Sequence, residues 1–431
     1  MKKKGKKRKL KKNIKRLFIT LIILMILSIS IIISLILYNK LKINKNDLNI
    51  SLNGEKNITL KWTDEEYNDQ GATAKYKDKD LTKEIKITSD YVKTKVGEFK
   101  IKYKIEYKSI VKEVIRNIKV IDEVKPTIKL NGDSRIIIAQ GQYKEQGATA
   151  KDDYDGDLTE KIEIDSSALN DKTGTYKIIY KVKDSSNNES SLEREVVVKE
   201  LPKNTENQKV PVLNYHFFYK DEKDRKKNCN QSICLDIKKF KEHLKYLNDN
   251  EFKILTIEEF IAWIYGELEI PEKSVLITID DGAWGVSMEK GNYLIPALEE
   301  YKAHATLFLI VGWWETKNYQ SPYLSIESHT WDLHHEYGHI CKYRSKVNCV
   351  PYDDLVADLQ RSVKVLKTNQ AFCFPFYNWT EQSIRAVKEV GFKVAFIGGD
   401  RKASRKDNKY KIPRYPIQSN ITMEEFKKMV N

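Results

Sequence analysis

Three kinds of hydrophobic patterning follow one another along the chain. Residues 17–38 are an uncharged run of 22, almost wholly apolar. A helix needs about 20 such residues to cross a bilayer, so the run predicts a transmembrane helix. A secretory signal peptide is the other reading. Its apolar region is usually shorter and ends at a small-residue cleavage site, which this run does not have. Between residues 47 and 200 the period falls to two. Phe99, Ile101, Tyr103 and Ile105 alternate with polar residues, and so do Tyr176, Ile178, Tyr180 and Val182. Strands with one buried face have that period. From Val210 onward, apolar runs of strand length alternate with stretches of helical spacing. Strands are expected at 210–216, 252–255, 275–280, 305–311, 371–376 and 394–397, and helices at 236–247, 257–265, 293–301, 352–366 and 381–390. Strand and helix in alternation predict parallel α/β architecture, with a distorted (β/α) barrel favoured over an open sheet.

The middle region repeats. Gln70-Gly71-Ala72-Thr73-Ala74-Lys75 returns as Gln146-Gly147-Ala148-Thr149-Ala150-Lys151, and Asp80-Leu81-Thr82 as Asp157-Leu158-Thr159. Gly97-Glu98-Phe99-Lys100-Ile101-Lys102-Tyr103 returns as Gly174-Thr175-Tyr176-Lys177-Ile178-Ile179-Tyr180. The offsets are 76, 77 and 77, which marks tandem domains. Short alternating runs broken by Gly, Asn and Asp predict a small all-β sandwich in each copy. The two copies resemble bacterial immunoglobulin-like surface modules. The expected organisation is a basic tail at 1–16, a membrane anchor at 17–38, immunoglobulin-like modules at 47–122 and 123–200, a polar linker at 201–209 and an α/β domain at 210–431.

The formal charge of +15 suggests a nucleic-acid binder until it is located. Residues 1–16 hold eleven Lys or Arg and no acid, which leaves +4 for the remaining 415 residues. The excess is one tail, so no nucleic-acid partner is expected. Cations ahead of an apolar span stay on the cytoplasmic side, which puts everything past residue 40 outside the membrane. The five cysteines have two readings. Outside a cell, Cys229 can pair with Cys234 and Cys341 with Cys349, leaving Cys373 single. In an organism living without oxygen, all five stay thiols.

Candidate chemistry gathers at the end of the strand at 275–280. Asp280 and Asp281 stand side by side there, followed by Gly282, which permits a sharp turn. Adjacent carboxylates resist joint ionisation unless something cationic holds them. A divalent metal on one would leave the other free as a base; a solvated turn is the plain alternative. In a β/α barrel, chemistry sits at the C-terminal strand ends, where Asp280, Asp281 and His216 fall. Four of the seven histidines, His329, His334, His335 and His339, lie within eleven residues. Clusters of His with Asp are zinc-ligand material. The five-residue step from His329 to His334 fits neither a helix face nor a strand face, so those two converge only on a loop. His335 and His339 would share a face if that stretch were helical.

Residues 210–418 resemble the polysaccharide deacetylases of the NodB-homology family. Thr278-Ile279-Asp280-Asp281-Gly282 resembles the first family motif, and the resemblance makes Asp280 the general base and Asp281 a metal ligand. Ser328-His329-Thr330 through His334 resembles the second motif, making His329 and His334 the other ligands in preference to His335 and His339. The five-residue spacing is similar to the branch that deacetylates poly-N-acetylglucosamine, as is the opening stretch 210–216. Phe372-Cys373-Phe374-Pro375-Phe376-Tyr377-Asn378 resembles the third motif of that branch, but the Arg of many other members is missing, with Cys373 near its place. The usual charge partner of the base is therefore unaccounted for. Nor does any His follow His339, where many members carry a general acid. His216 is the expected acid, by likeness to the same branch; a packed strand-end His is its other reading.

The resemblance implies a divalent metal, zinc above all, with nickel, cobalt or iron as substitutes. It implies removal of acetyl groups from N-acetylglucosamine residues of an exopolysaccharide, with peptidoglycan or chitin-like oligomers as alternatives. Trp284, Trp313, Trp314, Trp331, Tyr377 and Trp379 lie in or near the motif stretches and offer faces on which a sugar can stack; Trp284, Trp331, Tyr377 and Pro375 are the expected substrate contacts, and core filling is the other use of such rings. The modules are expected to be spacers that also touch wall polymer. Arg414, in the closing stretch, is assigned no role. Two competing readings are a surface adhesin that holds glycan without turnover and an extracellular metal-dependent amidase acting on a peptide or small amide.

Overall fold

The computed structural model describes residues 3–41, 44–229 and 231–431. The first helix, α1, is Lys3–Leu41. Within it, Leu10–Tyr38 is long and apolar enough to cross a membrane, and none of it is buried in protein. The helix is compatible with a single-pass anchor.

Each repeat is a sandwich of a three-stranded and a four-stranded sheet. In the first, the long hairpin Gly97–Tyr107 and Ile110–Ile121 pairs antiparallel along its whole length, and Asn57–Lys61 adds in parallel to its second arm. The second repeat builds the same hairpin from Gly174–Lys183 and Glu189–Lys199, with Arg135–Ala139 in the parallel position. Alternation drives both: Phe99, Ile101, Tyr103 and Ile105 are buried on one face, as are Ile178, Tyr180 and Val182. Each sandwich also buries one arginine at an equivalent place. Arg116 pairs with Asp69 and donates from Nε to the Glu55 carbonyl at 2.9 Å. Arg194 faces Glu145 at 3.4 Å and donates to the Asp133 carbonyl at 3.1 Å.

The C-terminal domain is built on parallel strands β1 (Val212–Tyr215), β2 (Ser274–Asp281), β3 (Ala305–Leu309), β4 (Leu324–Ser328), β5 (Ala371–Cys373), β6 (Val394–Phe396) and β7 (Tyr415–Pro416). Their order across the sheet is β6-β5-β4-β3-β2-β1-β7, and Lys253–Leu255 pairs with the first half of β2. The sheet curls until residues 412–417 bridge its edges. Ile412 pairs in parallel with Phe396 on one side, Tyr415 with Leu213 on the other, and the Ile417 N–H donates to the Asn214 carbonyl at 2.9 Å. This is a distorted (β/α) barrel.

β2 runs through its middle with Val275, Leu276, Ile277 and Ile279 fully buried. Truncating Leu276, Ile277 or Ile279 to Ala would cost about 2–5 kcal/mol. Helices pack outside because their apolar residues recur at helical spacing. Ile257–Ile264 begins at a capping box between Thr256 and Glu259, and buries Phe260, Ile261, Trp263 and Ile264 on one side.

Several boundaries differ from expectation. The strand expected at 371–376 stops at Cys373, because Pro375 opens a short 3-10 turn over Pro375–Tyr377. β4 was not foreseen. Its sequence, LSIES, hides its strand character behind two Ser and Glu327, whose buried carboxylate accepts from Thr368 Oγ1 and the Ala371 N–H, both at 3.0 Å. The closing helix Met423–Val430 was also missed. Both cysteine pairs, Cys229–Cys234 and Cys341–Cys349, are disulfides, and Cys373 is free and buried.

Candidate metal and catalytic site

Parallel register brings the strand ends level. Asp281 of β2 pairs with Leu309 of β3, Leu309 with Ser328 of β4, and Ser328 with Phe372 of β5. Asp281, His329 and Cys373 therefore reach one end of the barrel together. His216 follows Tyr215, which pairs with Ile279. Adjacent strand residues normally face opposite ways. Here Asp281 adopts φ 73° and Gly282 φ 87°, and both Asp280 and Asp281 line one cavity. Gly282 has no alternative: a Cβ there would lie 2.4 Å from Leu309 Cδ1.

That cavity, of about 500 Å³, is walled by His216, Asp280, Asp281, His329, His334, Tyr377 and neighbours. Asp281 Oδ1 lies 3.4 Å from His329 Nε2 and 3.1 Å from His334 Nε2. The oxygen is buried and has no hydrogen-bond partner among the described residues. His329 Nδ1 is 2.8 Å from the Cys373 carbonyl, so Nδ1 carries the proton and Nε2 is left as a lone-pair donor. One carboxylate oxygen and two imidazole nitrogens facing each other, with donor atoms all within 4.8 Å, form a set that suits a divalent cation.

The step between the two histidines is held from both sides. Val311 and Gly312 N–H groups donate to the Thr330 and Trp331 carbonyls at 3.1 and 2.8 Å. The two carboxylate oxygens of Asp358, on the helix Tyr352–Leu366, accept the N–H groups of Trp331 and Asp332, each at 2.8 Å. His335 and His339 do not join the set: His335 sits beside Asp332 at 3.6 Å, and His339 is exposed.

Asp280 is held differently. Arg414 Nη1 donates to its Oδ1 at 2.8 Å and Nη2 to its Oδ2 at 2.7 Å, with both side chains buried. Burial pushes the Asp280 carboxyl up, but the charge and hydrogen bonds of Arg414 outweigh it and hold the group at about 2. The same guanidinium touches Thr278 Oγ1 at 3.1 Å and Cys373 Sγ at 2.8 Å. Arg414 thus takes the place left by the Arg missing at Cys373, which corrects the assignment of no role to it. Two signals pointed there: a third motif without its cation, and an arginine inside an apolar closing strand. His216 Nε2 is 3.9 Å from Asp280 Oδ2, and its Nδ1 is buried with no hydrogen-bond partner among the described residues. Burial holds the imidazole below its ordinary range, against the pull of Asp280 and Asp281.

The four expected sugar contacts fall in different places. Tyr377 lines the cavity, its hydroxyl donating to Asn214 Oδ1 at 2.5 Å. Trp284 packs with Phe217 and the Cys229–Cys234 disulfide, under Lys290. Pro375 is buried at the start of its turn. Trp331 lines a neighbouring cleft. Trp284, Pro375 and Trp331 are thus not among the cavity's lining residues. The cavity is walled instead by Gln231, Ser232 and Ile233 inside one disulfide loop, and by Glu336 and Arg344 at or in the other.

Residues 268–395 match the model of the polysaccharide deacetylase family, and residues 50–120 and 128–198 each match that of the bacterial surface protein Ig-like domain. The C-terminal domain is a polysaccharide deacetylase. The domain is a hydrolase of carbon–nitrogen amide bonds, and the two sandwiches ahead of it are Ig-like domains. Poly-beta-1,6-N-acetyl-D-glucosamine N-deacetylase of Staphylococcus aureus is 26% identical over 227 residues, spanning 47% of this chain and 73% of its own. Among solved structures, the Streptococcus pyogenes deacetylase PplD is 18% identical with a TM-score of 0.44, covering 52% of this chain and 99% of its own. A polysaccharide deacetylase from Bacillus cereus is 17% identical with a TM-score of 0.42, covering 81% of this chain and 100% of its own.

Proposed function

We propose that the chain is a membrane-anchored, zinc-dependent N-deacetylase that works outside the cell on N-acetylglucosamine residues of poly-N-acetylglucosamine. The observation that carries it is the pairing of two differently held aspartates: Asp281 with His329 and His334 around an oxygen that has no hydrogen-bond partner among the described residues, and Asp280 clamped by Arg414.

Asp281, His329 and His334 would hold the ion. When bound, it supplies Lewis acidity at the acetamide carbonyl and makes water a stronger nucleophile near neutral pH. Asp280, ionised throughout the neutral range, takes the proton of the attacking water as the new C–O bond forms. The C–N bond then breaks, and the departing nitrogen needs a proton. His216 is the nearest imidazole outside the metal set. Burial keeps it neutral, and Asp280, 3.9 Å away, has just acquired a proton. The pair thus carries the proton from water to the amine, and acetate and glucosamine leave. The apolar wall of Phe376 and the hydroxyl-bearing Tyr377 flank that path.

The relative from Staphylococcus aureus supports the choice of glycan, as does the five-residue histidine step. The basic tail and the helix ahead of the Ig-like domains support the anchor and its orientation, with the sandwiches acting as spacers that contact wall polymer. A substrate panel tests the choice. The full chain should release acetate faster from β-1,6-linked N-acetylglucosamine oligomers than from chitin oligomers or peptidoglycan. Equal or greater release from either alternative would reassign the substrate.

A further inference from the structure

Beside the catalytic cavity lies a second cleft, of about 550 Å³, lined by Gly312, Trp313, Trp314, Glu315, Trp331 and Val365 among others. We propose that this cleft is a second sugar-binding subsite, which holds a pyranose ring of the same glycan further along the chain from the acetamide under attack. The inference rests on the glycan reading above and extends it to a site outside the catalytic cavity.

The cleft shares a wall with the metal set. The Trp313 ring meets the His334 ring edge-on at 5.9 Å and the His335 ring at 5.2 Å. A glycan with one residue among Asp280, His216 and Tyr377 has its next residues within reach of this wall. Trp313 is also poorly used as core. It is 43% exposed, yet its orientation is fixed, because its indole N–H donates to the Asp332 carboxylate at 2.6 Å. A large apolar ring left exposed but locked in place suits a flat ligand better than it suits packing.

The other two rings fit the same use. Arg361 covers the Trp331 ring at 4.1 Å and supports it. Gly312 allows the approach, since a Cβ there would lie 2.7 Å from the Trp331 carbonyl oxygen and 3.0 Å from its ring. Trp314 lines the cleft, and its buried Nε1 has no acceptor among the described residues. A pyranose offers what these groups lack. Its C–H face stacks on an indole, and its hydroxyls meet the polar rim of Glu315, Thr316 and Lys317.

The test uses the full chain in detergent with Asp280→Asn, so that nothing turns over. Tryptophan fluorescence is titrated with N-acetylglucosamine monomer and with the β-1,6-linked hexamer. The expected result is tighter binding of the hexamer, with that preference reduced about tenfold by Trp313→Ala and mostly kept by Trp313→Phe. Unchanged preference in Trp313→Ala, or no preference for the hexamer before substitution, would overturn the proposal. Acetate release by the chain with Asp280 intact is measured separately. Absence of release beside a hexamer preference that needs Trp313 would sink the deacetylase substrate reading and leave the subsite standing.

Discussion

Arg414 and Asp280 make a two-point contact, at 2.8 and 2.7 Å, between the closing strand of the barrel and its central strand. Neither group has another way to be buried charged, so each depends on the other. The same contact pins the last strand to the middle of the sheet and keeps Asp280, the proposed base, ionised.

Arg414→Met should therefore act twice. It strands a buried carboxylate, which destabilises the domain by about 3–5 kcal/mol. It also removes the interaction that outweighs burial, so the Asp280 carboxyl rises from about 2. The base must be ionised to work, so the acid limb of kcat/KM moves to higher pH. Arg414→Lys keeps the charge but not the two-point geometry, and the limb should move less. A pH–rate profile of the three chains checks this; coincident acid limbs would refute it.

Cys373 Sγ lies 3.5 Å from Asp280 Oδ2 and 2.8 Å from Arg414 Nη2, so residue 373 can reach the same carboxylate. Cys373→Arg alone should be poorly folded, with two guanidinium groups in one space. In the double variant Cys373→Arg with Arg414→Met, the cation comes from the other side, and activity should recover at least tenfold over Arg414→Met alone. Assay of purified variants beside thermal melts separates recovery of fold from recovery of rate.

Two disulfides brace loops that wall the cavity, Cys229–Cys234 beneath Gln231 to Ile233 and Cys341–Cys349 around Arg344. Closing loops this short restricts the unfolded chain by about 2–3 kcal/mol each. Replacing either pair with Ser should lower the melting temperature and raise KM several-fold, with metal content unchanged because no cysteine of either pair is in the donor set. Loss of metal in either variant would contradict that separation.

His243 offers a test of the fold away from the site. It is buried, with Tyr215 Oη 3.0 Å from Nδ1 and Phe426 stacked on its ring at 3.9 Å. Burial first, and Lys239 second, hold it at about 3, whereas in the unfolded chain it titrates near 6.5. Between those values the unfolded chain binds a proton that the folded chain refuses. Stability is thus full above about 6.5 and falls as pH drops toward 3, by at most roughly 5 kcal/mol from this group. The urea midpoint should fall less between pH 7.5 and 5 in His243→Phe than in the parent; equal falls would rule the group out.

Much of this was legible in the chain because the physics is local. Helical spacing marked Tyr352–Leu366, and a carboxylate pair before Gly282 marked the turn where β2 ends. What was not legible depends on partners far away in sequence. Glu327 looks like a surface residue until Thr368 and the Ala371 N–H are placed on it. Arg414 looks idle until the barrel closes and sets it on Asp280, 134 residues earlier. Trp331 lies two residues from His329, yet its ring falls in the next cleft, because Asp358 and β3 fix the backbone between the histidines.

The most direct test of the central claim is acetate release from β-1,6-linked N-acetylglucosamine oligomers by the full chain. It would be measured after chelation, after zinc is restored, and beside Asp280→Asn and His334→Ala with their metal content. The account predicts release that disappears on chelation and returns with zinc, that falls at least a hundredfold in Asp280→Asn with metal retained, and that vanishes in His334→Ala together with the metal. Release that survives chelation, or an Asp280→Asn chain as fast as the parent, would contradict it.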